Sequence, residues 1–364
     1  MSTVLELSPL RQRHEELGAR FGDRSGRELV RGYTDPAAEY AALRGGAAIV
    51  DRWDRAQLRL HGRDPVGMVQ GLITNDLAGA PDGRGVYAAL LTARGRMLAD
   101  LRAYRLGDGA VLLDLDIGAV GGAVDHMKKF VPPLFARIDE LGDSASAIGV
   151  YGPESRALIS NLTAGWADSD LAEESFIESE FEGESLLVTR TDYTGTEGYD
   201  LFISSDHAGA LWDHLLATGG VPVGQSALDI VRLEAGRPRW GVDLDERVFP
   251  IEAGLTERAI SQTKGCYTGQ EVIIRILHRG RVNWHLRGLF FGDTTLPEEG
   301  TELYRPGETR SLGRVTSAAL SPYYDQVIGL GYIRREVEPP AVLSLGSPDG
   351  DEVRVVELPF GGDT

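Results

Sequence analysis

The amino-acid sequence predicts an α+β fold, with two tandem ferredoxin-like β-α-β units followed by a small C-terminal β-barrel. Three observations lead there. A joint of strand, glycine, acid and helix at Gly62 recurs about ninety residues on at Gly152. After Arg281 the texture changes to short alternating strands separated by turns. The 46 glycines in 364 residues are scattered without a Gly-X-Y period, so they mark turns and not a fibre.

Taken in order, residues 1–34 read as a helical arm, and 35–281 hold the two units, about 50–140 and 141–281. In the first unit, Gln57 to His61 alternates like a strand and Gly62-Arg63-Asp64-Pro65 turns into a helix. Asp64 suits the N-cap and Pro65 the first helical position. Val66, Val69 and Ile73 give that helix an apolar stripe. Strands at 86–92 and 97–106 and a helix near 119–130 complete the unit. The second unit repeats the scheme with a strand at 148–151, a helix after Gly152-Pro153-Glu154, strands at 185–190 and 199–204, and a helix near 207–217. Residues 282–360 then predict a barrel or sandwich. Its strands fall at 285–291, 300–304, 313–319, 327–334, 342–345 and 353–358, the last two joined by the turn Pro348-Asp349-Gly350.

Charge and composition exclude several functions. A net charge of −18 argues against a general binder of nucleic acid or anionic membrane. No apolar run reaches the roughly 18 residues of a membrane span. The N-terminus lacks a signal-peptide core, and Glu6, Glu15, Glu16 and Asp23 speak against a transit peptide, so a cytoplasmic location is expected. Cys266 is the sole cysteine, which precludes an internal disulfide and cannot by itself hold an iron–sulfur cluster or structural zinc. No intrinsic metal is expected.

The most specific stretch is Lys264-Gly265-Cys266-Tyr267-Thr268-Gly269-Gln270-Glu271. Thr268 and Glu271 have capping-box spacing, which predicts a helix carrying Val272, Ile273, Ile274 and Ile276, with Glu271 and Arg275 paired four apart. Cys266 would then lie just outside the positive end of the helix dipole and near Lys264, and both favour the thiolate. The plainer reading makes Cys266 a small buried hydrophobe beside an ordinary cap. Between 264 and 287 the bases Lys264, Arg275, Arg279, Arg281 and Arg287 face one acid, Glu271, with His278 and His285 beside them. Such an island suits an anionic ligand, a carboxylate-bearing cofactor or a phosphate, unless its arginines pair with acids elsewhere.

The octapeptide resembles the signature of the YgfZ-type folate-binding proteins of iron–sulfur cluster assembly and repair. The wider chain, about 35–358, resembles the glycine-cleavage T-protein (aminomethyltransferase) superfamily. The likeness is carried by Thr191 to Asp200 (T-D-Y-T-G-T-E-G-Y-D), Ala227 to Gly236 (A-L-D-I-V-R-L-E-A-G), Thr74-Asn75-Asp76 and Gly313 to Ser317. It implies a three-lobed ring with tetrahydrofolate in the central hole. Where the transferases carry paired aspartates this chain has Ala99-Asp100, leaving Asp100 as the general acid or base. Asp200 stands at the pterin-binding glutamate and Leu228 at an expected arginine. Tyr87 and Trp53 are candidates for stacking on the folate, or else core aromatics. The resemblance thus implies a folate-binding accessory factor with Cys266 and Asp100 as its chemical groups. Its partners would be iron–sulfur enzymes or cluster-assembly proteins, with an indirect effect on tRNA modification and no direct contact with nucleic acid. The alternative is a tetrahydrofolate-dependent aminomethyl- or methyltransferase of the T-protein type.

Overall fold

A computed structural model describes residues 5–33, 35–292 and 295–361, without the side chains of Asp168 and Arg279. The expected helical arm is mostly a β-hairpin. A short helix, Arg11–Glu16, leads into strands Arg20–Arg24 and Arg27–Gly32. Ser25 and Gly26 between them both have positive φ, 51° and 83°, as a two-residue turn matched to strand twist requires. The correction is local: a Ser-Gly pair flanked by charges gives no apolar alternation to reveal the hairpin.

The first unit is a five-stranded antiparallel sheet in the spatial order Val86–Leu91, Met97–Arg105, Val111–Asp116, Arg55–Gly62, Ala136–Glu140. The second runs Phe176–Phe181, Glu184–Thr191, Gly198–Ser204, Ala145–Tyr151, then Ala48–Asp51 and Val221–Pro222. Apart from the inserted strand Ala48–Asp51, both sheets share one order. The repeat at Gly62 and Gly152 is therefore a repeat of topology. Each unit has two strands more than the alternation suggests, Val111–Asp116 and Ala136–Glu140 in the first and Phe176–Phe181 and Val221–Pro222 in the second, besides the inserted Ala48–Asp51. Val111–Asp116 is buried along its whole length, its Asp114 and Asp116 included. The first helix of the repeat, Pro65–Gln70, starts as expected, with the Asp64 side chain accepting from the Gly67 N–H at 3.0 Å and Pro65 in its first turn.

The C-terminal six strands close into a barrel, ordered Trp284–Gly292, Gln326–Arg334, Ser311–Ser321, Glu302–Tyr304, Ala341–Leu345, Glu352–Val356. The largest core joins the first sheet (Leu58, Leu101, Leu113) to Leu244 and Leu255 and to the barrel residues Leu286, Leu330 and Tyr332. The helix Gln225–Glu234 bridges the second unit to the barrel. Its buried Arg232 pairs with Asp243 at 2.5 Å, and Asp243 in turn accepts from the Thr316 and Ser317 hydroxyls at 2.5 and 2.7 Å. A register shift between Val315 and Ser317 lets two successive side chains reach the same carboxylate. Leu228 lies on this helix's apolar side, packed with Leu43, Val50 and Tyr151. Among the described residues no helix is long and apolar enough to cross a membrane.

Candidate functional site

Asp100 sits on the strand Met97–Arg105, opposite Ala89. It is buried; Oδ2 accepts from the Tyr87 hydroxyl at 3.0 Å, and Oδ1 has no hydrogen-bond partner among the described residues. A buried, unpaired carboxylate oxygen costs free energy unless something else is to meet it. Burial and the Asp100 charge push Tyr87 well above the ordinary phenol range, so its hydroxyl keeps its proton and donates. The Arg258 guanidinium lies over the Tyr87 ring at 4.8 Å and pairs with Glu173 at 2.6 Å. Arg237 reaches the same Glu173 at 4.0 Å; desolvation, with Arg258 nearby, lowers its affinity for its proton.

Thr74 and Asn75 hold this wall in place. Thr74 Oγ1 donates to the Ala259 carbonyl at 2.5 Å, and Asn75 Nδ2 donates to Tyr87 and Arg258 carbonyls at 2.9 and 3.0 Å. Arg258 separates two cavities and lines both. One, of about 360 Å³, is bounded by Asn75, Tyr87 and Glu174; the other, of about 640 Å³, by Arg237, Gly236 and Phe360. Sequence reasoning missed Arg258, Glu173 and Arg237, which lie in no motif and meet only in the fold.

Asp200 occupies a different setting. Its Oδ1 accepts from the Tyr151 hydroxyl at 2.5 Å and lies 3.6 Å from the buried Arg52 guanidinium. Arg52 also pairs with Asp54 at 2.9 Å and lies over the Tyr193 ring at 5.1 Å. Gly149, across the ladder from Asp200, makes this possible, because a Cβ there would lie 2.4 Å from the Tyr151 ring. Arg102, with Glu174 at 3.2 Å and Thr191 at 3.2 Å, stands between the two carboxylates and lies 5.9 Å from the Tyr87 ring. Asp100 and Asp200 thus belong to one buried polar lattice, but of the two only Asp100 has a fully buried oxygen without a partner among the described residues. Trp53 does not join it. Its ring is covered by Arg27 at 4.0 Å and lines a separate cavity with Glu6, Gln57 and Glu140. The hairpin supplies that arginine, so the stacking expected of Trp53 is used within the fold.

The 264–271 segment is a docking joint. Lys264 Nζ donates to the carbonyls of Gln70, Ile73 and Asn75 at 2.7, 2.7 and 2.9 Å, and burial brings its pKa down to about 8. Its three protons are committed to those carbonyls. Tyr267 is buried 5.1 Å from that ammonium, and the Thr268 N–H bonds to the Gly71 carbonyl at 3.1 Å. The helix runs Gln270–Arg279 with Gly269, not Thr268, at its N-cap and no side-chain cap, so the capping box does not form. Gly269 has φ +83°, and a Cβ there would lie 2.5 Å from the Thr92 carbonyl; the helix starts one residue late because the backbone must press on that turn. Glu271 and Arg275 do pair, at 2.7 Å, both exposed. Cys266 and Gly265 are exposed, and the thiol is free. Of the basic island, Arg287 pairs with Glu357 at 2.8 Å, Arg279 lies outside the described side chains, and Arg281 forms no ion pair among the described residues. No group of three His, Cys, Asp or Glu among the described residues could hold a metal ion.

Comparison with known proteins agrees with this layout. Residues 10–264 match the model of the GCVT N-terminal domain and residues 285–360 that of the glycine cleavage T-protein C-terminal barrel domain. The chain is 31% identical over 360 residues to the aminomethyltransferase of Rubrobacter xylanophilus, covering 98% of this chain and 94% of that one. It is 30% identical over 370 residues to the aminomethyltransferase of Bacillus subtilis, covering 98% and 99%. The crystal structure of the glycine cleavage system aminomethyltransferase T from Bartonella henselae superposes with a TM-score of 0.87 at 25% identity, covering 98% of each chain. With both domains matched and whole-length relatives at this identity, the chain belongs to the glycine-cleavage T-protein family.

Proposed function

We propose that this protein binds tetrahydrofolate against Asp100 and acts on its one-carbon unit, as an aminomethyl- or methyltransferase of the T-protein type. The observation that carries the reading is the buried Oδ1 of Asp100, left without a partner beside a tyrosine that fixes the other oxygen. A ligand N–H would satisfy that oxygen, so the residues present fit the group. Bound tetrahydrofolate would supply ring nitrogens able to accept or release a one-carbon unit. Asp100 would hold or move a proton at Oδ1, while Tyr87 keeps the carboxylate in one orientation. Arg237 and Arg258 face cavities large enough for a ligand and present positive charge to a carboxylate-bearing tail. Calorimetric titration with tetrahydrofolate should give binding in wild type that weakens in Asp100→Asn. Turnover of an aminomethyl-lipoyl donor should fall with it. Absence of binding at millimolar ligand would refute the assignment.

A second reading rests on a different observation, the exposed Cys266 in K-G-C-Y-T-G-Q-E. Here the protein is a folate-binding accessory factor for iron–sulfur enzymes, Cys266 touching the partner, and its effect on tRNA modification is indirect. Leu228 in place of an arginine and the single aspartate at 99–100 favour it. Folate binding without turnover, together with loss of an iron–sulfur enzyme's activity in cells carrying Cys266→Ser, would select it.

A further inference from the structure

A cavity of about 500 Å³ lies where the barrel, the helix Gln270–Arg279 and the turn before Met97 meet. It shares no lining residue with the two cavities flanking Arg258. Four guanidiniums line it, Arg96, Arg247, Arg281 and Arg314, against one carboxylate, Glu252. Arg247 is paired with Asp245, and Arg96 reaches Glu252 at 3.3 Å. Among the described residues Arg281 and Arg314 form no ion pair. Glu252 is itself buried, accepts the Phe249 N–H at 3.1 Å, and is pushed toward its neutral form by burial. The cavity therefore carries uncompensated positive charge within a protein of net charge −18.

The charge is also pre-positioned. Arg314 lies over the Tyr332 ring at 5.4 Å, held by an aromatic face and not by a carboxylate, while Arg96, over the Phe249 ring at 3.6 Å, also donates to Glu252 and to the Arg247 carbonyl. Trp284, Val272 and Ile276 supply apolar wall beside them. A guanidinium held on a ring, as Arg314 is, keeps its N–H fork free for a carboxylate or phosphate. We propose that this cavity binds a small organic oxyanion, a carboxylate or phosphate ester carried on an aromatic or apolar body. Arg314 and Arg281 would grip the anion, and Trp284 would cover the body.

The test is isothermal titration of the full chain at low salt with phenyl phosphate and with benzoate, using benzyl alcohol as the neutral control. One or both anions should bind with Kd between about 10 μM and 1 mM while the alcohol does not. The tighter of the two identifies the source of the oxyanion. Arg314→Gln should weaken binding at least about tenfold. Arg281 is exposed and makes no ion pair among the described residues, so Arg281→Gln should retain the fold and weaken binding as well. Asp100→Asn should leave it unchanged. The proposal fails if neither anion binds better than the alcohol, if both arginine variants bind as wild type does, or if Asp100→Asn abolishes the heat. Binding of a glutamate-rich peptide with no response to either small anion would also overturn it.

Discussion

At the scale of single residues, Asp100 and Cys266 differ in what they cost the fold. The unpaired Oδ1 of Asp100 is a buried polar atom without compensation, so Asp100→Asn should leave the melting temperature unchanged or raise it. The same substitution should weaken tetrahydrofolate binding roughly 10- to 100-fold, the worth of one hydrogen bond to a charged group. Stability retained with binding lost is the signature of a functional carboxylate. A variant that melts lower and binds normally would make Asp100 a structural group instead. Cys266, being exposed, contributes little to packing. Cys266→Ser should change stability by less than about 0.5 kcal/mol in urea unfolding. The native thiol should react with a disulfide reagent without denaturant, and a thiol silent until unfolding would contradict its exposure.

At the scale of elements, the 264–271 segment acts as a clasp on the first unit, and its residues should rank by what they touch. Lys264→Met would leave the carbonyls of Gln70, Ile73 and Asn75 without their donor, at a cost of about 2–4 kcal/mol. Gly269→Ala combines a left-handed backbone, worth roughly 1–2 kcal/mol, with a Cβ pressed against the Thr92 carbonyl, so it should be at least as damaging. Arg275→Ala removes only an exposed helical pair and should cost about 0.5 kcal/mol or less. Urea midpoints of the three variants decide the ranking; equal values would mean the segment does not clasp. The same element shows what can be read from sequence. Helix starts marked by local chemistry, such as Asp64-Pro65, are legible because cap and helix are neighbours in the chain. The start at Gln270 was displaced by a contact with Thr92, almost 180 residues away, which no local pattern carries. Likewise Asp100 could be singled out by its motif. Arg258 and Glu173, which complete its surroundings, stand in unremarkable sequence; the Thr74–Asn75 joint holds the first, and backbone pairing of Gly85 with Glu174 the second.

Over the whole molecule, charge is placed as deliberately as apolar surface. Arg52 with Asp54, within one short link, Arg102 with Glu174 and Arg232 with Asp243 are buried pairs, so deleting one partner should cost about 3–5 kcal/mol. Asp116 is the member whose balance depends on pH. It receives Arg24 from the N-terminal hairpin and the Gly118 N–H, while Arg24 also donates to the Trp240 carbonyl, so hairpin, first sheet and the 240 loop meet there. Burial, with Asp54 nearby, outweighs Arg24 and raises the Asp116 pKa from 3.8 to about 6. Between those values the folded chain holds a proton that the unfolded chain has released, so this group's contribution is complete below 3.8 and declines as pH rises through 6. Asp116→Asn fixes the site in its neutral form. It loses part of the Arg24 contact at every pH, but that offset does not titrate. Urea unfolding of wild type and variant at pH 4, 5 and 6 isolates the effect, because the acid response of the other carboxylates is common to both and cancels in the difference. Wild-type stability relative to Asp116→Asn should fall steadily across this range. A difference that stays level, or that moves in favour of wild type as pH rises, would show that Arg24 keeps Asp116 ionised and that the hairpin is held by an ordinary ion pair.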